Sequence, residues 1–415
     1  MIIIRIVVKF GGTSIRDIDR IEKATNSIAK KVKEGHEVLV VVSAMGDTTD
    51  NLISLLEGVT KSGYDMNDYA QFVSFGERMS AQLVAASLRA QEIQSRPFDP
   101  SGDDFPIITN NKNLLEADIL SKQSKEQCQT YLEPLLQKGI VPVVCGFLGR
   151  SEKDNIITCL GRGGSDITAF ALGDFIKADE VIIVTDASGV ASADPRLVKK
   201  VEMLPKISVE EMGILAESGA KVLHPRALKY KNKNMRSKII HFQNGDLDSP
   251  GTEIEGSFSS KVDIFQDKLC LLTIVGDSIL ETPGILRDII TPLSKNNISI
   301  QSIAIGIQYI GIYVSEKYSK KAYDLIHLSV LKSEKLKSVT SKEDIALIVV
   351  SSRDFIDTPG IIEKITRPLA ENNINILEMV TIKTDILIFV SWNNKDKVYQ
   401  LIRQTLGEIG INTQK

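Results

Sequence analysis

Apolar residues recur with two different periods along the first 260 positions of the chain. Short runs rich in β-branched residues alternate with longer stretches of helical spacing, which is the pattern of an α/β domain with a mainly parallel sheet. Helices are predicted over Asp17 to Lys33 and Phe72 to Leu88. The predicted strands are Ile2 to Val8, Glu37 to Val42, Ile140 to Cys145, Glu180 to Thr185 and Lys238 to Phe242.

A turn-rich passage from Asn244 to Ser260 ends this pattern and predicts a domain boundary. Beyond it the sequence repeats itself at an interval of 76 residues. Between Thr282 to Ile300 and Thr358 to Ile376, 11 of 19 positions are identical, so one supersecondary unit has been duplicated. We therefore predict three domains, covering residues 1–260, 265–340 and 341–415.

Each copy of the repeat reads as strand, Pro-Gly, helix, Asn-Asn, strand, turn and strand. Proline is expected to open each helix, and asparagine to end it in left-handed geometry. Modules this small have exposed sheet edges and should pack on each other or on a second chain, giving a homodimer or a dimer of dimers. The predicted elements are Leu269 to Val275, Ile285 to Lys295, Ile298 to Ala304 and Ile310 to Val314, then Ile345 to Val350, Ile361 to Glu371, Ile374 to Thr381 and Ile386 to Val390.

Charge, cysteine spacing and the length of apolar runs argue against several classes of protein. The 50 basic and 53 acidic residues form no long run of either sign, so no nucleic-acid partner is expected. The four cysteines are far apart, which predicts neither a metal site nor a disulfide framework and favours a reducing, cytoplasmic location. The apolar start is interrupted by Arg5 and is too short for a signal peptide or a membrane span.

Two glycine-containing loops are candidate anion sites. Lys9 to Ser14 ends the first strand, where tight turns bring backbone N–H groups against a phosphate and Lys9 adds a cation. Taken alone, this loop is equally consistent with an ordinary strand-to-helix turn. Gly161 to Asp166 precedes a helix that begins near Ile167, and Arg162 there can grip a carboxylate. The alternative for that loop is a capped turn with Asp166 as the helix N-cap.

A third candidate lies inside the second predicted helix. Gly76 interrupts good helix formers at a cost of about 1 kcal/mol relative to alanine, so a local reason for it is expected. Glu77, its neighbour, could receive the ammonium group of an amino acid. A solvated Glu77 paired with Arg78 remains the alternative.

Five segments, taken in order, resemble the aspartate kinases, and the duplicated tail resembles that family's tandem ACT regulatory modules. The resemblance implies an amino-acid-kinase-type α/β/α sandwich with a mainly parallel sheet, followed by two ACT-type α/β modules. It implies transfer of the ATP γ-phosphoryl group to the side-chain carboxylate of aspartate, with Mg²⁺. The segments are KFGGTS at Lys9 to Ser14, SAMGDTTD at Ser43 to Asp50, SFGERMS at Ser74 to Ser80, GRGGSD at Gly161 to Asp166 and GAKVLHP at Gly219 to Pro225.

The resemblance also implies roles for individual residues. Lys9 would neutralise charge on the transferring phosphoryl group, and Asp166 would organise Lys9 and the magnesium-bound phosphates. Glu77 would hold the substrate ammonium and Arg162 its α-carboxylate. The remaining substrate residues would be Ser43, Thr49 and Ser165, and the remaining nucleotide residues Gly11, Gly12, Thr185, Asp186, Arg196 and Lys221.

Two departures from the family pattern affect nucleotide and effector binding. Ser188 and Ala191 stand where the family often has proline and tyrosine, so aromatic packing at the nucleotide is lost there. Ser302 to Gly306 and Val380 to Thr384 lack the polar run that holds an amino-acid effector between ACT modules. We therefore expect weak or altered feedback by lysine or threonine.

Two rival functions stay open at this point. One is another amino-acid kinase, acting on glutamate, acetylglutamate, carbamate or a nucleoside monophosphate. The other is an ACT-based ligand sensor with an inactive kinase domain, against which the intact Lys9, Arg162 and Asp166 argue. A fused homoserine dehydrogenase is not expected, because the chain ends at Lys415.

Overall fold

The computed structural model describes residues 2–220, 222–352, 355, 359–411 and 413. The chain divides into two compact units, residues 1–258 and 259–415. Among the described residues, no helix combines the length and the apolar character needed to cross a membrane.

Unit 1 consists of two sheets and the helices packed around them. Its strands are β1 (Arg5–Phe10), β2 (Glu37–Val42), β3 (Ser95–Phe98), β4 (Ile108–Thr109), β5 (Val141–Cys145), β6 (Leu148–Ser151), β7 (Ile157–Cys159), β8 (Glu180–Thr185), β9 (Lys206–Ser208), β10 (Arg236–His241) and β11 (Thr252–Glu255). Its helices are α1 (Ile18–Lys33), α2 (Thr48–Thr60), α3 (Met66–Ala90), α4 (Ser121–Gln127), α5 (Glu133–Gln137), α6 (Gly164–Phe175) and α7 (Val209–Glu217).

The main sheet has the strand order β3-β5-β2-β1-β8-β10-β11-β9. Its first six strands run parallel, and only the pairing of β10 with β11 in this sheet is antiparallel. The central strands are apolar almost throughout because helices cover both faces of a parallel sheet. The predicted α/β class with a mainly parallel sheet is confirmed.

The first strand begins later than predicted. It runs over Arg5–Phe10, whereas Ile2 and Ile3 are 85% and 67% exposed. Pairing sets the start, because β2 and β8 first reach β1 at Arg5 and Ile6. Lys9 consequently lies within the strand and not after it.

Unit 2 contains one sheet and four helices among its described residues. Its strands are β12 (Lys261–Ile264), β13 (Leu269–Gly276), β14 (Ile300–Ile305), β15 (Tyr309–Ser315), β16 (Leu336–Ser351), β17 (Ile376–Ile382) and β18 (Asp385–Ser391). The helices are α8 (Ile285–Lys295), α9 (Ser319–Lys332), α10 (Ile361–Glu371) and α11 (Lys395–Glu408).

The sheet of unit 2 folds over on itself. Its order is β14-β15-β13-β16-β18-β17, with β12 beside β16, so Tyr313 and Phe389 lie on strands three places apart. Their rings nevertheless stack with centroids 3.9 Å apart, and the Tyr313 hydroxyl donates to Glu378 at 2.7 Å. The two half-sheets therefore pack face to face around Leu269, Tyr313, Ile345, Leu347 and Phe389.

Two expectations for the repeat need correction. Proline does not open the helices, because Gly284 and Gly360, which follow Pro283 and Pro359, are the N-caps at φ values of 86° and 79°. The expected ends are confirmed, since Asn297 and Asn373 have φ values of 55° and 54°. The strand predicted to start at Ile345 begins at Leu336, since its polar first half pairs with β13 through the backbone.

Candidate functional site

The carboxyl ends of β1 and β8 lie where the order of strands in the sheet reverses. From β1 the chain continues into β2 on one side, and it returns to β8 on the other side. Ligands of open α/β sheets bind outside the strand ends at such a point. Lys9, near the end of β1, therefore lies where a ligand is expected.

The loop after β1 is held against its neighbours by its own backbone. The Gly11 N–H donates to the Val184 carbonyl at 3.0 Å, and the Ser14 hydroxyl donates to the same oxygen at 3.1 Å. A Cβ on Gly12 would lie 2.5 Å from the Ala44 carbonyl oxygen, so residue 12 must be glycine for the two loops to meet. Because its N–H is already bonded, Gly11 cannot offer this group to a phosphate without losing that bond.

An ion pair joins the first glycine loop to the second. Lys9 Nζ lies 2.7 Å from Asp166 Oδ1, and about one tenth of each side chain is exposed. The His224 N–H approaches the other carboxylate oxygen at 3.4 Å. Asp166 is thus held from two sides and is not the N-cap, since Gly163 has that position at a φ of 72°.

Helix α6 starts at Gly164, three residues earlier than predicted, because Gly163 caps it in left-handed geometry. A Cβ on Gly163 would lie 2.1 Å from the His224 Cβ. The first turn of α6 also carries Ser165, whose hydroxyl accepts a hydrogen bond from the Ser43 hydroxyl at 2.9 Å. The amino end of a helix favours an anion, and the exposed Arg162 adds a full positive charge beside it.

Glu77 is buried in helix α3, with 4% of its surface exposed. Its Oε1 accepts a hydrogen bond from the Ala44 N–H at 3.2 Å, whereas its Oε2 has no partner among the described residues. Burial raises the pKa of this carboxyl to about 7. The solvated alternative for Glu77 is therefore wrong, and Arg78 instead pairs with Asp99 at 2.7 Å.

Gly76 has the local reason that its position in the helix predicted. A Cβ there would lie 2.7 Å from the Cβ of Ala44, so the glycine lets α3 approach the loop that follows β2. This close approach is what brings the Ala44 N–H within reach of Glu77.

The seven residues expected to bind substrate or act on it line one open cleft of about 270 Å³, which is large enough for a small amino acid. Phe147, also on its wall, was missed by sequence reasoning. It has a φ of 67°, an uncommon value for a bulky residue that no sequence motif signals. The predicted residues are Lys9, Ser43, Thr49, Glu77, Arg162, Ser165 and Asp166.

Thr185, Asp186 and Arg196, which are expected at the nucleotide, do not line this cleft, whereas Lys9 does. Thr185 ends β8 beside β1, and its hydroxyl donates to Asp186 at 3.2 Å. Arg196 is exposed and pairs with Asp194 at 2.7 Å. Lys221 lies outside the described residues.

The cap of α6 makes a specific prediction for the variant Gly163→Ala. Left-handed geometry costs alanine about 1–2 kcal/mol, and overlap with His224 adds a further cost of about 1–3 kcal/mol. Gly139→Ala is the matched control, because Gly139 has a φ of 69° with nothing within 4 Å of its Cβ position. Urea unfolding should show a larger loss of stability for Gly163→Ala, and activity should fall in that variant alone. Equal losses in both variants would contradict this packing.

Comparisons with known proteins agree with this geometry. The model of the amino acid kinase family matches residues 5–241, and an ACT domain model matches residues 340–404. Aspartokinase 2 of Bacillus subtilis (strain 168) is 32% identical over 406 residues, covering 95% of this chain and 96% of the relative.

Two solved structures show the same architecture. The aspartate kinase of Synechocystis has a TM-score of 0.77 at 27% identity, over 99% of this chain and 70% of its own. Escherichia coli aspartokinase III, in complex with aspartate and ADP, has a TM-score of 0.55 at 23% identity. The likeness covers 97% of this chain and 99% of that chain.

The match to the amino acid kinase family model over residues 5–241 assigns unit 1, with its parallel sheet and two glycine loops, to that class. Within that class, the similarity to Bacillus subtilis aspartokinase 2 over 95% of this chain identifies the branch. The chain belongs to the amino acid kinase family, in its aspartokinase branch.

Proposed function

We propose that this chain transfers the γ-phosphoryl group of ATP to the β-carboxylate of L-aspartate, giving 4-phospho-L-aspartate. Membership of the aspartokinase branch supports this reaction. The observation that carries it is the single cleft in which Glu77, Arg162 and Lys9 meet. An amino acid with an acidic side chain needs one partner for its ammonium group and cations for its two carboxylates.

Glu77 binds the α-ammonium group of aspartate. Its Oε2 is buried and lacks a partner among the described residues, so an ammonium group there would complete its hydrogen bonding. The bound cation would also favour the ionised carboxylate that burial alone disfavours.

Arg162 and the start of α6 bind the carboxylates. The exposed guanidinium on the cleft wall can hold the α-carboxylate with two parallel hydrogen bonds. Ser43, Thr49 and Ser165 then face the β-carboxylate. The hydrogen bond between Ser43 and Ser165 fixes the position of both hydroxyl groups before substrate arrives.

Phosphoryl transfer needs no general base in this cleft. The side chain of aspartate has a pKa of about 3.9 and is already an ionised nucleophile at neutral pH. Lys9 stabilises the charge that develops on the transferring phosphoryl oxygens. Asp166, with Oδ1 2.7 Å from Lys9 Nζ, holds this ammonium group at the cleft.

The nucleotide binds at the adjacent strand ends, with its phosphates over the loop at Gly11 and Gly12. Thr185, Asp186, Arg196 and Lys221 are the residues proposed to contact it. A Mg²⁺ ion that arrives with ATP is held mainly by phosphates and one or two carboxylates, and the buried Asp166 on the cleft wall suits that role. When bound, Mg²⁺ neutralises phosphate charge.

A trapping experiment tests the reaction. The chain is incubated with ATP, Mg²⁺, L-aspartate and hydroxylamine, which converts an acyl phosphate into a hydroxamate. Formation of aspartyl β-hydroxamate in proportion to ADP supports the proposal. Release of inorganic phosphate at the same rate with and without aspartate would contradict it.

Unit 2 is proposed to be the effector and assembly unit. Strands β14 and β17 end the sheet on its two sides, so their outer edges are where a second chain would pair. The runs that lack the expected polar effector partners, Ser302 to Gly306 and Val380 to Thr384, lie on or directly beyond these strands.

We predict weak inhibition by lysine and threonine for that reason. Each unpaired polar group on a buried effector costs about 1–3 kcal/mol, so half-inhibition is expected only above about 1 mM. Activity is titrated with each amino acid at a fixed, subsaturating aspartate concentration, with leucine as the control. Half-inhibition by either effector well below that concentration would show that the site is intact.

A further inference from the structure

A second pocket lies in unit 1, apart from the cleft that contains Lys9 and Glu77. Its volume is about 340 Å³, against about 270 Å³ for the cleft, and no described residue lines both. Its wall is formed by α4 and the turn that follows it, by β4 and β6, and by the segment between β6 and β7. A pocket of this size can hold a small molecule, and its polar groups indicate what that molecule would carry.

Arg150 places a buried cation on this wall. The residue is 9% exposed, and its backbone is held between two strands, since it pairs with Ile108 of β4 and Ile157 of β7. Its Nη2 donates to the Asp103 carboxylate. Its Nε–H, however, has no partner among the described residues. A buried donor needs an acceptor, which a ligand in the pocket can supply.

Gln127 has the complementary deficiency. Its Oε1 is buried and accepts no hydrogen bond from the described residues. Gln127 ends α4 directly before a π-helical turn, Cys128–Leu132, which also contributes Thr130 and Tyr131 to the wall. Such turns are rare and are frequent at functional sites. The donor and the acceptor line one pocket without bonding to each other, so a molecule with both complementary groups can satisfy them together.

The charges on the wall favour a ligand that is cationic overall. Glu126 and Glu152 are exposed there, and the Gln123 amide donates to Glu152 at 2.8 Å. Arg150, the one cation among the described lining residues, is already paired with Asp103. Negative charge is therefore in excess, which disfavours phosphates and dicarboxylates.

We propose that this pocket binds a small molecule with one carboxylate and two cationic groups, the chemistry of a basic α-amino acid. The carboxylate accepts from Arg150 Nε, and the α-ammonium group donates to Gln127 Oε1. The side-chain cation lies beside Glu126 and Glu152. The described lining residues all belong to unit 1, so the site is distinct from any effector site within unit 2.

Isothermal titration calorimetry of the full-length chain with L-arginine tests this site, with saturating L-aspartate present to fill the cleft. The dissociation constant is expected to be below about 1 mM. L-citrulline replaces the guanidinium by a neutral group of similar shape, and agmatine lacks the carboxylate. Each should bind at least about tenfold more weakly. Failure of L-arginine to reach half-saturation at about 1 mM, or equally tight binding of either analogue, would overturn the proposal.

Two variants locate the binding. Gln127→Leu removes the acceptor at similar size, and Arg150→Lys keeps the charge but loses the planar set of donors. Each should raise the dissociation constant for L-arginine by at least about tenfold. Gln129→Leu is the matched control, because Gln129 lies in the same helical segment, is exposed and does not line the pocket.

Circular dichroism confirms that each variant is folded, and Gln127→Leu decides the matter if Arg150→Lys is not. An unchanged dissociation constant in a folded pocket variant would overturn the site. An equal loss of affinity in Gln129→Leu would do the same.

Discussion

Replacing Lys9 by alanine is expected to lower kcat by about 100- to 1000-fold, with aspartate still bound. The physical reason is that the Lys9 ammonium group acts on charge that develops only as the phosphoryl group transfers. Its position beside Asp166, at 2.7 Å in a cleft where both side chains are largely covered, strengthens this electrostatic effect. Steady-state kinetics with aspartate and ATP varied separately measure it.

Lys23→Ala is the control for loss of a positive charge from unit 1. Lys23 is exposed on α1, and its Nζ donates to the Gln243 carbonyl outside the cleft. The Lys23 variant should keep the kcat of the wild type. Thermal unfolding of the Lys9 variant shows whether loss of the ion pair has also weakened the fold. A folded Lys9 variant with near-normal turnover would remove Lys9 from the mechanism.

Glu77→Gln is expected to raise the KM for aspartate by about 100-fold, while the KM for ATP changes by less than about threefold. The amide keeps the size of the side chain and an acceptor for the Ala44 N–H. It loses the negative charge that the substrate ammonium requires, and a charge-assisted hydrogen bond is worth about 1.5–3 kcal/mol. If both KM values rise together, Glu77 has only a structural role.

The pH dependence of kcat/KM also distinguishes a substrate-binding role of Glu77 from a structural one. Burial raises the pKa of Glu77 to about 7, so in the free enzyme this carboxyl is ionised above that pH and neutral below it. The ionised form is the one proposed to bind the ammonium group of aspartate. The kcat/KM for aspartate should therefore fall by up to about tenfold per pH unit below pH 7. This dependence should disappear in Glu77→Gln. An identical pH profile in both proteins would exclude Glu77 as the titrating group.

Elements with strong local patterns could be predicted from the sequence. Strands Glu37–Val42 and Glu180–Thr185, and helices Ile285–Lys295 and Ile361–Glu371, have the bounds that their apolar spacing indicated. In each case a continuous apolar run or a one-sided helical stripe ends at turn residues, so local and tertiary preferences agree.

Among the helices that were not predicted, α9 and α11 in unit 2 have a regular spacing of apolar residues. In α9 the buried residues Ala322, Ile326 and Val330 recur every four positions, and Val398, Ile402 and Leu406 do the same in α11. Both segments are rich in polar residues, so an apolar stripe of one buried residue per helical turn is difficult to recognise in the sequence. Counting the four-residue period would have found both helices.

Contacts between distant segments could not be derived from local patterns. The burial of Glu77 depends on Gly76 meeting Ala44, and the pairing of Lys9 with Asp166 joins residues 157 positions apart. Family motifs singled out these residues as a set. Their common cleft follows from the order of the parallel strands, which sequence periodicity does not determine.

The central claim is that the cleft selects aspartate as the phosphoryl acceptor. The most direct measurement is kcat/KM for L-aspartate, L-glutamate and N-acetyl-L-glutamate in parallel, from ATP-dependent ADP release with Mg²⁺ present. N-acetylglutamate lacks the ammonium group that Glu77 is proposed to bind, and glutamate places its side-chain carboxylate one methylene further from the α-carbon. Aspartate is expected to be preferred by at least about 100-fold over both. Equal or faster turnover of glutamate or N-acetylglutamate would contradict the account.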